Sequence, residues 1–189
     1  MLKKKIIEHC KVIKNIKTEE KNIKKIIKII TEKIFNGGKI MFCGNGGSAA
    51  DSQHLAAEFL IRLRPNINRN PISAISLATD TSTITACGND YNFSDIFLRP
   101  FNGLAKENDV LFVITTSGNS KNIIKVLKEA KNKNIYSIGL LGKGGGLAKK
   151  LCNDKIVVRS KNTAIIQETH IFLGHYILEN IENNIIKIS

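Results

Sequence analysis

Two short segments of this 189-residue chain combine backbone freedom with hydroxyl groups in a way that suits the binding of an anion. The first is Gly44-Asn45-Gly46-Gly47-Ser48, continuing into Ala49-Ala50-Asp51. Its glycines permit tight geometry and leave open N–H groups at the start of the helix that follows. The second is Thr115-Thr116-Ser117-Gly118-Asn119-Ser120, leading into Lys121-Asn122-Ile123-Ile124. Several hydroxyls, the freedom of Gly118 and a helix start together make a cradle for a phosphate monoester, with no lysine needed inside it. A plain helix cap would need one hydroxyl, not four.

Other phosphate-binding patterns fit less well. The first loop matches G-x-G-x-x-A, but a nicotinamide cofactor calls for an acidic residue about 20 positions on. Arg64-Pro65-Asn66-Ile67-Asn68-Arg69-Asn70 offers none, and a turn that binds nothing stays open for this loop. The Walker pattern is absent, since Gly142-Lys143 has Ser137 in place of the first glycine and Gly144 in place of the hydroxyl, which disfavours nucleoside triphosphates. A different chemistry is suggested by Glu58, set in Leu55-Ala56-Ala57-Glu58-Phe59-Leu60. A carboxylate in such an apolar stretch is either paired or working. His54, four residues earlier, shares its helical face.

The elements that must position these groups follow from hydrophobic periodicity. Residues 2–36 read as one or two amphipathic helices, with Thr18-Glu19-Glu20 as a restart and Gly37-Gly38 as the end. Short apolar runs at 40–43, 72–76, 110–114, 135–140 and 156–158 read as strands, and helices fit at 47–63, 80–87, 94–105, 120–133, 145–152 and 163–183. Five buried strands alternating with helices predict an α/β fold with a doubly wound parallel sheet, in one domain spanning 1–189. In such sheets ligands bind beyond the carboxyl ends of the strands, where both anion loops fall. The isoleucines of 2–36 exceed what one helix on a small sheet needs, so part of that surface is expected to face another subunit.

Composition narrows the setting. Hydrophobic residues make up 42% of the chain, ordinary for a globular protein, and no apolar run is long enough for a membrane span. The opening Met1-Leu2-Lys3-Lys4-Lys5-Ile6-Ile7-Glu8-His9 turns charged too soon for a signal peptide, so a cytoplasmic location is expected. Cys10, Cys43, Cys87 and Cys152 are far apart and mostly in apolar contexts, as buried free thiols would be. The net charge of +13 comes mostly from lysines dispersed along helices, with no tryptophan and no helix-turn-helix pattern, so no nucleic-acid partner is expected.

Gly44–Ser48, Thr116–Ser120 and the Gln167-Glu168-Thr169-His170 helix, in this order and spacing, resemble a sugar isomerase (SIS) domain. More narrowly, the chain is similar over almost its full length to the phosphoheptose isomerases, including the helical start and Gly88-Asn89-Asp90. The resemblance implies a flavodoxin-like SIS fold with 1–36 as an oligomerisation segment. It implies an aldose-ketose isomerase that converts sedoheptulose 7-phosphate to D-glycero-D-manno-heptose 7-phosphate through an enediol, for bacterial surface polysaccharide. Glu58 would be the carbon base and His175 the partner acid/base. Substrate would be held by Asn45, Gly46, Gly47, Ser48, Glu58, Asn89, Asp90, Thr115, Thr116, Ser117, Ser120 and Gln167. A zinc ion is implied on His54, Glu58, Gln167 and His175, although a glutamine carbonyl is an unusual ligand. A homotetramer with shared sites is implied too. Gln167 and His175 stand eight residues apart, about 12 Å of helical rise, so one helix supplying both ligands would be strained.

Two other readings belong to the same fold. A relative of these isomerases is a non-enzymatic protein that binds the replication initiator, but it lacks the full acid/base set, whereas Glu58 and His175 are both present here. Sugar-phosphate-sensing domains come joined to a helix-turn-helix, and none is visible.

Overall fold

The structure is a computed structural model and describes residues 1–188. Five strands, β1 (Ile40–Gly44), β2 (Ala74–Ser76), β3 (Val110–Thr115), β4 (Tyr136–Leu141) and β5 (Asp154–Val157), form one sheet in the order β2-β1-β3-β4-β5. Every pairing is parallel. β1 and β3 are buried at every position, which is why they read as unbroken apolar runs and not as alternating ones.

Helices cover both faces. α1 (Leu2–Asn15) and α2 (Glu20–Phe35) are joined by a 3-10 turn, and α3 (Gly47–Leu60) follows β1. Next come α4 (Thr81–Asp90), α5 (Leu98–Leu104), α6 (Lys121–Asn132), the single turn α7 (Ala148–Leu151) and the long α8 (Thr163–Ile188). Strand alternation divides the core in two. Phe42 and Phe112, with ring centroids 5.1 Å apart, point to the layer of α2, α3 and α8, where Phe59, Ile26, Ile30 and Ile177 join them. Met41, Cys43, Leu111 and Val113 point the other way, to Phe97, Phe101, Val126 and Leu127.

Several expected boundaries shift. The stretch 94–105 splits into a 3-10 turn at Phe93–Asp95 and α5, because Pro100 has no N–H and is tolerated only in a helix's first turn. α3 ends at Leu60, not 63, and α8 runs five residues beyond 183. β2 is two residues shorter than 72–76, β4 lies one residue later than 135–140, and β5 begins two residues before 156. The surplus isoleucines are largely accounted for within the chain: Ile23, Ile26, Ile27 and Ile30 are buried in the layer shared with α8, while Ile6 and Ile7 remain exposed. Cys43, Cys87 and Cys152 are buried free thiols as expected, but Cys10 is exposed. Among the described residues no helix is long and apolar enough to cross a membrane.

α8 buries His170 completely, and neither ring nitrogen completes a hydrogen bond. Burial pushes its pKa down to about 4, weakly opposed by the Leu141 backbone. The unfolded chain therefore binds this proton first: the stability is full above about pH 6.5 and is lost as pH falls toward 4. Urea unfolding at pH 7 and pH 4.5 should differ by roughly 2–3 kcal/mol more in the native protein than in His170→Phe; an equal acid loss in both would refute this origin.

Candidate active site

The register of the sheet sets the two anion loops side by side. Gly44 at the end of β1 pairs with Ile114, one residue before the end of β3, so the chain leaves both strands at one edge, where strand order reverses. Gly46 takes a left-handed φ of 57° to turn into α3. A side chain on Gly44 would strike the backbone of Ser48, so the turn can close only around a glycine. The two loops are then tied together: Asn45 and Asn122 exchange reciprocal amide hydrogen bonds of 2.9 and 2.8 Å. Asn45, Gly46, Phe93, Ser94, Ser120 and Asn122 are among the residues that line a cleft of about 460 Å³ between them.

Within the second loop the hydroxyls divide their work. Thr115 Oγ1 accepts from the Gly118 N–H and Ser117 Oγ accepts from the Asn119 N–H, both at 3.2 Å, so these two shape the turn while keeping their own protons to donate. Ser120 makes no side-chain cap bond and lines the cleft. Thr116 is half-buried between them. Gly118, with φ 67°, lies so close to the Gly145 carbonyl that no side chain fits. The loop after β4 thus braces the Thr115–Ser120 turn, a role the Walker comparison of Gly142-Lys143 gave no reason to expect. Asn89 and Asp90 stand at the exposed end of α4, where Asn89 donates to Asp90 at 2.8 Å, and Phe93 and Ser94 form the cleft wall instead.

The second cluster is carried by α3 and α8. Gly47, Asp51, His54 and Glu58 fall on one face of α3. α8 lies along this helix, with Gln167 against Gly47 and Gly174 against Leu55. His175 consequently meets His54, Nε2 to Nε2 at 2.8 Å, with the rings edge to face. Glu58 Oε1 is 3.7 Å from His54 Nε2, and Glu58 Oε2 is buried with no hydrogen-bond partner. Burial lowers the pKa of His175, the neighbouring His54 lowers it further, and Glu58 opposes both. Two imidazoles can share that short contact only if one nitrogen is neutral, so the pair holds a transferable proton beside a carboxylate short of partners. Asp51 Oδ2 is also buried without a partner, and burial raises its carboxyl pKa.

His54, Glu58 and His175 are therefore brought together, with Gln167 about 12 Å of helical rise from His175 and at the glycine loop. Two imidazoles and an under-bonded carboxylate are suitable zinc donors. Among the described residues no set of three His, Cys, Asp or Glu side chains already has metal-holding spacing. The two Nε2 atoms, 2.8 Å apart, would have to separate to roughly 3.3 Å to share a tetrahedral zinc. That is a small side-chain adjustment, so His54, Glu58 and His175 fit the ion as donors.

The chain is similar to known proteins over most of its length. Residues 7–142 match the SIS domain family. A phosphoheptose isomerase of Campylobacter jejuni is 44% identical over 94% of both chains, and one from Nitratiruptor is 45% identical over 97% of both. Among solved structures, a phosphoheptose isomerase from Francisella tularensis superposes with a TM-score of 0.88 at 34% identity, covering 96% of each chain. One from Neisseria gonorrhoeae superposes at 0.83 and 35%, covering 97% of this chain and all of that one.

No sequence motif singled out Asn122, which lines the cleft and pairs with Asn45, or Gly145, which packs against Gly118. Gly118→Ala should cost about 1–3 kcal/mol in a chemical-denaturation curve, from the positive φ and the clash with Gly145. It should also weaken binding of inorganic phosphate in a calorimetric titration; unchanged binding would exclude this turn as the anion site.

Proposed function

The chain belongs to the SIS-domain family and, within it, to the phosphoheptose isomerases, and from that premise we propose a catalytic assignment in which Glu58 is the carbon base and His175 its partner acid/base. The protein is an aldose-ketose isomerase that converts sedoheptulose 7-phosphate to D-glycero-D-manno-heptose 7-phosphate for heptose biosynthesis. The meeting of His54, Glu58 and His175 on one face of α3 carries the assignment of residues.

The substrate's phosphate is received by the N–H groups and hydroxyls of Thr116, Ser117 and Ser120 at the start of α6, with Thr115 holding the turn from beneath. Asn45 to Ser48 flank the sugar, and Gln167 reaches it at the glycine loop. The Thr115–Ser120 turn is tied to the start of α3 through the Asn45–Asn122 pair, and the rise of α3 from Gly47 to His54 is about 10 Å, of the order of an extended seven-carbon chain, so a phosphate held in that turn would direct C1 and C2 along α3 toward the histidines. Glu58 takes a proton from C1 and returns it to C2, while His175, in contact with His54, moves the proton between the two oxygens. Glu58 Oε2 suits the carbon base because no hydrogen bond has to be broken before it acts. A zinc ion on His54, Glu58, Gln167 and His175 would polarise the carbonyl oxygen as a Lewis acid, and substrate taking the place of Glu58 as a ligand would leave its carboxylate free to act as the base.

We assign the enzyme to the cytoplasm, in keeping with its three buried free thiols. We assign a homotetramer by family, and the exposed apolar side chains Ile6 and Ile7 on α1, with Phe172 and Tyr176 of α8 lining an apolar groove, support an interface between copies.

Incubation with sedoheptulose 7-phosphate, followed by NMR for the aldose, tests the activity. Glu58→Gln should lower turnover roughly 10²–10⁴-fold with the fold intact; full turnover would remove Glu58 as the base. Dialysis against a chelator should reduce turnover and added zinc restore it, with bound metal measured by elemental analysis. Activity that survives with no metal detected would set the zinc assignment aside.

A further inference from the structure

The loop between α3 and β2 carries an arginine–carboxylate system that the chemistry above does not use. Arg69 is 4% exposed and Glu182 of α8 is fully buried, with Arg69 Nε 2.6 Å from Glu182 Oε1. Glu182 Oε2 accepts from Arg64 Nε at 2.8 Å, so both its oxygens are held. The rest of the Arg69 guanidinium turns toward α3. Nη2 donates to the carbonyl of Glu58 at 2.8 Å and Nη1 to the carbonyl of Phe59 at 2.9 Å. These are carbonyls of the last turn of α3, which ends at Leu60. A helix end leaves such carbonyls without intrahelical partners, and a cation there also opposes the negative end of the helix dipole.

Arg69 therefore joins the backbone of the residue assigned as carbon base to a carboxylate on the helix that carries its partner. Glu182 lies seven residues after His175, two helical turns along α8. His175 and Glu58 otherwise approach each other through side chains that must stay free to react. We propose that Arg69, backed by Glu182, is a positioning residue for the isomerisation: it fixes the end of α3 against α8 and so sets the distance from the Glu58 carboxylate to the His54–His175 pair. It touches neither the cleft nor the anion loops, so its effect falls on the chemical step and not on substrate capture. The guanidinium suits this because one planar group meets a carboxylate and three carbonyls at once, those of Glu58, Phe59 and Asn70, which a lysine ammonium on a flexible stem cannot do in the same geometry. The inference rests on Glu58 being the base.

The test measures kcat and KM for sedoheptulose 7-phosphate in Arg69→Lys, alongside circular dichroism and thermal melting. Misplacement of a catalytic group by about an ångström lowers rates by roughly 10²-fold. Arg69→Lys should therefore lose about that factor in kcat, keep KM within about twofold, and stay folded at the assay temperature. Unchanged kcat overturns the inference, as does a rise in KM with kcat retained, which would make Arg69 a binding residue. If Arg69→Lys does not fold, Glu182→Gln decides, since it keeps the shape and removes the charge that backs Arg69, and Arg64→Gln alongside it measures the share that comes from Arg64. A folded Glu182→Gln with reduced kcat and native KM supports the inference, and one with native kcat overturns it. Glu58→Gln run in parallel separates the two failures: an active Glu58→Gln removes the base assignment itself, whereas an inactive Glu58→Gln beside a fully active Arg69→Lys removes only the positioning role.

Discussion

The site depends on how closely α8 can lie against α3. At Gly174 a β-carbon would come within 2.7 Å of a Leu55 methyl, and Leu55 is buried, so any larger residue here would have to push Leu55 out of its place between the two helices. His175 is the next residue, and its ring reaches His54 because the backbones are this near. The same approach puts Gln167 against Gly47, two turns back along α8. One close helix contact thus fixes both ends of the reactive face. Behind it, Phe42, Phe59 and Phe112 fill the space between α3 and the sheet.

Much of this was legible in the sequence because the signals were local. A buried parallel strand is an uninterrupted apolar run, and a glycine loop between such a run and a helical period has few other uses. The order of elements and both anion loops follow from these rules. Glu58 stood out for the same reason, since a carboxylate among Leu55, Ala56, Phe59 and Leu60 breaks the pattern of a core-facing helix. Boundaries were less legible. Propensity carries α3 on to 63, but the chain must turn toward β2, and the bonds from Arg69 to the carbonyls of Glu58 and Phe59 belong to that turn.

The parts not legible were those made by residues distant in sequence. Asn122 pairs with Asn45 across 77 residues, and by type alone it is one more polar position in the first turn of a helix. Arg69 and Glu182 are 113 residues apart, and an arginine among asparagines near Pro71 reads as a solvated loop. Gly145 braces Gly118 only because β3 and β4 are neighbours in register, which sets their following loops against each other. The doubled use of Thr115 and Ser117 was hidden too, since hydroxyls that shape a turn and hydroxyls that bind an anion have the same letters.

The distribution of unsatisfied groups separates the reactive part of the molecule from its frame. The frame meets its polar requirements: Asp109 takes Lys39, Asp154 takes Lys25 and Tyr136, and Glu182 takes two arginines. On the face of α3, by contrast, Glu58 and Asp51 each keep a buried oxygen without a partner, and His175 is held toward its neutral form by burial and by a second imidazole. Such groups destabilise the fold by amounts that the apolar layers around Phe42 and Phe112 must offset. His170 is unsatisfied as well, but its ring is sealed inside α8's packing, so its cost is one of stability alone. The difference lies in access. His54 and Glu58 remain partly open to solvent, with side chains 46% and 21% exposed, so a sugar can supply the missing partners that the protein withholds.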